Sequence, residues 1–116
     1  MSENIVLDKS FKFALRVVRL YKYLTEEKKE FVLSRNLLTS GTEVGAHIKE
    51  AQDAESKTIF HQEMGIALRK TSRTEYWLQL LRDGSFLDEK GFDSIDTDRL
   101  ELKKLLVSIT KSSKSQ

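Results

Sequence analysis

The amino-acid sequence predicts an all-α protein, an antiparallel up-down-up-down four-helix bundle. Its 116 residues include no proline and only 5 glycines, so little is present to break a helix or turn a strand tightly. Apolar residues recur at alternating spacings of three and four, the period of an α-helix facing a core. The polar connections between the periodic stretches are short, which makes antiparallel neighbours the simple packing solution. The expected helices cover residues 9–24, 26–52, 56–82 and 88–111 of a single domain spanning 1–116, with a disordered tail at 112–116.

The first helix carries two apolar stripes. Leu7, Phe11, Ala14, Val18 and Tyr21 form one, and Phe13, Val17, Leu20 and Leu24 lie beside it. That is more apolar surface than a simple seam between two helices requires, so a lone bundle would leave some of it uncovered. For the second helix Thr25 is the expected N-cap, with Glu26 and Glu27 at the positive end of the dipole. Its apolar contacts are Phe31, Leu33, Leu37, Leu38, Val44, Ile48 and Ala51.

The same helix holds Ser40, Gly41, Gly45 and Ala46. A glycine inside a helix costs about 1 kcal/mol relative to alanine. Two of them four residues apart therefore mark a place where another backbone comes close. Gly41, Gly45 and Ala46 are candidates for a helix-packing or oligomer contact, with the neighbour inside the chain or across a subunit boundary.

Asp53 or Ser56 caps the third helix, where Phe60, Met64, Ala67, Thr71, Thr74, Leu78 and Leu81 keep an unbroken four-three rhythm. Thr71 and Thr74 fit such a seam because each hydroxyl can bond a carbonyl one turn back. Gly84 is the expected left-handed residue closing this helix. In the fourth segment Phe92, Ile95, Leu102, Leu106 and Ile109 hold the helical spacing, with Arg99 filling the odd position.

The middle of the chain resembles a known family. The run Leu38-Thr39-Ser40-Gly41-Thr42-Glu43-Val44-Gly45-Ala46-His47-Ile48-Lys49-Glu50-Ala51-Gln52 is similar to that family's R-S-G-T-S-I-G-A-N-I-x-E-A block. Ser56-Lys57 followed by Phe60 and by Ile66-Ala67-Leu68-Arg69-Lys70 resembles its third-helix opening, and Glu75-Tyr76-Trp77-Leu78 resembles the segment that ends that helix. The family is the bacterial four-helix-bundle proteins encoded in intervening sequences of 23S ribosomal RNA genes, some of them ribosomal by name. Accessory proteins of diversity-generating retroelements resemble the fold more distantly. The resemblance implies a homopentamer, no enzymatic activity and a role in binding nucleic acid. His47 departs from the pattern, standing where asparagine is more usual.

Composition narrows the function from the other side. There is no cysteine, hence no disulfide framework, thiolate metal site or thiol nucleophile. The start of the chain lacks a basic head and apolar core of signal-peptide type, and no apolar run approaches a membrane span, so a cytoplasmic protein without membrane contact is expected. No nucleophile elbow, phosphate-cradling glycine loop or carboxylate pair with a nearby base occurs. The expectation is a non-enzyme with no catalytic residues and no cofactor.

The net charge of +2 argues little, but its distribution is uneven. Lys9, Lys12, Arg16, Arg19 and Lys22 occupy residues 9–24 with no acid among them, and the third helix adds Arg69, Lys70 and Arg73. Repeated accessible cations can grip phosphates without reading sequence. The plain alternative is a solvated face, and a ring of subunits would sum the fields. These residues are the candidates for binding RNA or DNA; an acidic protein partner for an adaptor would meet the same charges. Tyr76 and Trp77 are read as core or oligomer contacts, with base stacking as the alternative.

Glu43, His47 and Glu50 lie within two turns on one helix face. Di-iron bundles need Glu-x-x-His on two helices, whereas the order here is His-x-x-Glu and His61 is preceded by Thr58. No metal is expected.

Overall fold

Asn4 opens the first helix: its Oδ1 accepts from the Leu7 amide at 3.2 Å, and its Nδ2 donates to Gln52 Oε1. The computed structural model describes residues 4–114. Its helices are α1 (Ile5–Glu26), α2 (Leu33–Gln52), α3 (Lys57–Asp83) and α4 (Glu89–Ser113). The molecule measures 45 × 25 × 20 Å, close to the length of α3, whose 27 residues span about 40 Å at ~1.5 Å each. Among the described residues no helix is long and apolar enough to cross a membrane.

Pairs across the seams step in opposite directions along successive helices. Ser40, Glu43 and His47 of α2 meet Thr74, Lys70 and Glu63 of α3. Glu75 and His61 of α3 meet Arg99 and Ser113 of α4. Lys9 and Arg16 of α1 meet Glu101 and Asp98 of α4. Each neighbour is therefore antiparallel, and α1 and α3 stand on one diagonal with α2 and α4 on the other.

The core follows the periodicity closely in α3 and α4. The buried residues of α3 are Met64, Ala67, Thr71, Thr74, Leu78 and Leu81, and those of α4 are Phe92, Ile95, Arg99, Leu102 and Leu106. In α1 only the stripe of Phe13, Val17 and Leu24, extended by Val6 and Ser10, is buried. Phe11 and Val18 of the other stripe are exposed, Phe11 by 65%.

Arg99 is the largest buried side chain, 2% exposed. Its Nε lies 2.6 Å from Asp96 Oδ1 and its Nη2 3.2 Å from Glu75 Oε2, so two partly exposed carboxylates from α4 and α3 neutralise it at the edge of the core. One layer away, Thr74 Oγ1 lies 2.7 Å from the Lys70 carbonyl and 3.0 Å from Ser40 Oγ.

The helix ends depart from expectation in four places. Helix α1 begins at Ile5, a turn early, because Asn4 supplies the cap. Thr25 is not an N-cap; α1 runs past it to Glu26, and its hydroxyl donates back to the Tyr21 carbonyl at 3.0 Å. The cap of α2 is a carboxylate instead. Glu30, 9% exposed, accepts from the amides of Leu33 at 2.9 Å and Ser34 at 2.7 Å, with Val32 at 3.2 Å. Burial pushes its carboxyl up, but the amide bonds of Leu33, Ser34 and Val32 outweigh that and hold it below the usual carboxylate range. The turn before it is closed by Lys29 at φ 55°, so α2 starts at Leu33 rather than 26 and Phe31 is left 54% exposed.

At the end of α3 the left-handed residue is Ser85 (φ 70°) rather than Gly84 (φ −82°). Gly84 is needed for a different reason: a Cβ there would lie 2.9 Å from the Leu80 carbonyl oxygen. Finally, Ser112 and Ser113, expected in a disordered tail, complete the last turn of α4; Ser115 and Gln116 lie outside the described residues.

Candidate functional site

The two expected basic groups do not form one surface. Lys9, Lys12, Arg16, Arg19 and Lys22 belong to α1, and Arg69, Lys70 and Arg73 to the diagonally opposite α3. Half of them are already engaged. Arg16 donates to the Ser94 carbonyl at 3.0 Å, to Ser94 Oγ at 2.8 Å and to Asp98 at 2.8 Å, clamping α1 to α4. Lys9 reaches Glu101 at 3.0 Å across the same seam, and Lys70 reaches Glu43 at 2.9 Å across the α2–α3 seam. Lys12 pairs with Asp8 at 3.3 Å, but both side chains are mostly exposed, so water and salt screen the pair. The acids absent from residues 9–24 are supplied by α4.

Among the described residues Arg19, Lys22, Arg69 and Arg73 make no ion pair. On α3, Arg69, Arg73 and Tyr76 follow the four-three spacing on the side away from the core, and all three are exposed. No exposed acid lies on α3 between residues 57 and 82, because Glu63 and Glu75 are partly buried and paired with His47 and Arg99. Gly65 leaves room beneath Arg69: a Cβ there would lie 3.7 Å from the guanidinium Nη1. Tyr76 is 55% exposed and stands edge-on to Trp77, ring centroids 5.1 Å apart at 73°. Only Trp77 of the pair packs against the core. Of the two alternatives for these aromatics, a core contact holds for Trp77 but not for Tyr76, whose ring faces solvent within this chain.

The small residues of α2 also divide. A Cβ on Gly41 would fall 2.8 Å from a methyl of Val17, so α1 and α2 touch there inside one chain. At Gly45 a Cβ would lie 3.2 Å from Ser10 Oγ, again on α1. Ala46 is exposed. Along this seam runs an open groove floored by Gly45, Ala46 and Thr42 and walled by Leu7, Phe11 and Ala14. The groove is open to solvent, and the exposed Phe11 ring stands at its edge.

The comparisons with known proteins match this architecture. The family model described as 23S rRNA-intervening sequence protein matches residues 2–108. The chain belongs to this family. A crystal structure of a protein of unknown function from the S23 ribosomal protein family of Bacteroides thetaiotaomicron VPI-5482 is 47% identical, with a TM-score of 0.90 over 91% of this chain and 98% of that one. No curated protein matches it.

In this intervening-sequence protein the small-residue block of α2 is sorted by depth. Ser40, Gly41, Val44 and Ile48 face the core, Gly45 and Ala46 line the groove, and Thr42 bonds back to the Leu38 carbonyl at 2.7 Å. The block is first of all a surface for packing helices.

Proposed function

We propose that this intervening-sequence protein is a non-enzymatic homo-oligomer that binds RNA through the outer face of α3. The observation that carries the reading is the exposed row of Arg69, Arg73 and Tyr76 on a helix face without exposed acid. Unpaired guanidiniums contact phosphates, and an exposed phenol ring offers a stacking platform for an unpaired base. Arg19 and Lys22, on the diagonally opposite helix α1, would reach such a strand only from another subunit. The uncovered groove between α1 and α2 supports assembly, and a ring repeats the α3 face around its axis, as the family resemblance to a pentamer implies.

Retention of a mixed RNA pool over a range of salt tests the proposal. Binding should weaken steeply as salt rises, and Arg69→Glu with Arg73→Glu should lower affinity about tenfold and flatten the salt slope. Unchanged retention in that double variant would exclude the face. The exposed Phe31 and Val32, at 54% and 69%, favour a second reading, an adaptor for a polymerase-type protein. Such a complex would survive moderate salt and ignore the arginine changes.

A further inference from the structure

We propose that His47, Glu50 and Glu63 form a binding site for a divalent first-row transition-metal ion at the α2–α3 seam. Glu43 does not belong to this set, because it pairs with Lys70 one turn away. The third donor comes from α3. His47 Nδ1 lies 2.8 Å from Glu63 Oε1 and 3.6 Å from Glu50 Oε1, and one donor atom from each of the three residues falls within 4.8 Å of the others.

Those separations suit an ion. Tetrahedral Zn²⁺ with bonds of about 2.0–2.1 Å holds its ligands about 3.3–3.4 Å apart. The two distances from Nδ1 bracket that value, so small rotations of the glutamates would open the space. The same ring nitrogen faces both carboxylates, where a single proton can serve only one well. Among the described residues neither glutamate meets a lysine or arginine, so the carboxylates bring more negative charge than one imidazole can balance. A dication supplies the difference.

The donors are also held unequally, as an open site requires. His47 and Glu63 have side chains only 24% and 23% exposed, fixed between the helices. Glu50 is 66% exposed and guards the solvent side, where water would complete the coordination. One nitrogen and two carboxylate oxygens suit Zn²⁺, with Mn²⁺ and Fe²⁺ as weaker competitors. Bound there, the ion would staple α2 to α3 and stabilise the folded chain.

Calorimetric titration of chelator-treated full-length protein with ZnCl₂ tests the site, alongside thermal unfolding with and without the ion. The wild type should take up one equivalent per chain, and its melting midpoint should rise by about 5 °C at saturating zinc. His47→Asn and Glu63→Gln should lose both effects. Glu50→Gln, altered only at the exposed position, should keep its fold and lose affinity by at least about tenfold. No saturable uptake by the wild type, or equal uptake by wild type and Glu50→Gln, would overturn the proposal.

Discussion

Helices α1 and α3 stand on opposite corners of the bundle and treat their outer faces in opposite ways. Every apolar position of the α3 stripe from Met64 to Leu81 is used inward, and its outside carries Arg69, Arg73 and Tyr76 among neutral polar residues. Helix α1 also fills the core with one stripe, but its second stripe leaves Phe11 and Val18 exposed, with Leu15 exposed beside them, while Lys9 and Arg16 are tied to α4. A charged residue next to uncovered apolar surface is a different device from a charged residue on a polar face. The first suits a contact with another protein surface; the second is open to a diffusing anion. On our reading the bundle assembles through α1 and α2 and meets RNA through α3.

The contrast can be broken at its foundation by closing the space between α1 and α2. Gly41→Leu must displace Val17, which is fully buried, and should cost about 3 kcal/mol of stability in thermal or urea unfolding. Phe11→Glu with Val18→Glu sharpens the other half. These positions are exposed, so the subunit should keep its own unfolding free energy to within about 0.5 kcal/mol while the assembly falls apart on a sizing column. The double change at Arg69 and Arg73 should do the reverse: mass unchanged, RNA affinity down about tenfold, or ~1.4 kcal/mol. A variant that moves both properties would erase the distinction.

A smaller effect concerns how α2 is entered. Glu30→Gln weakens the three amide contacts and should cost about 1 kcal/mol near neutral pH. Because the folded state holds this carboxyl below its ordinary value, its contribution is present above the unfolded-state value and is lost as pH falls through the folded one. Wild type and variant should therefore converge in acid denaturation. Smallest of all, Lys12→Ala removes an exposed pair with Asp8 and should change stability by less than about 0.5 kcal/mol.

What could be read from the sequence was whatever is local and periodic. The α3 and α4 stripes, including Arg99 in an apolar register, need only the helical repeat to be recognised. Of the partners of Arg99, Asp96 lies within the same repeat, three residues back, but Glu75 could not be found that way, since it comes from the preceding helix. Cross-helix acids are invisible for the same reason: the run of cations at 9–24 looks unopposed until α4 brings Asp98 and Glu101 alongside. The pairing of Glu63 with His47 is not legible in the sequence, because 16 residues separate them along the chain. The start of α2 misled differently, since Thr25 has the right chemistry for a cap, but a longer α1 satisfied its hydroxyl internally and Glu30 took the role. Gly45 and Gly41 did announce a close neighbour, and the chain itself supplies it.

The division of roles between the two helices rests on α1 being covered by another subunit. Light scattering on the purified chain measures this most directly. A mass several times 13.4 kDa, falling to the single-chain value in Phe11→Glu with Val18→Glu, is the expected result. A wild-type chain that runs as a monomer, its Phe11 open to water, would contradict it.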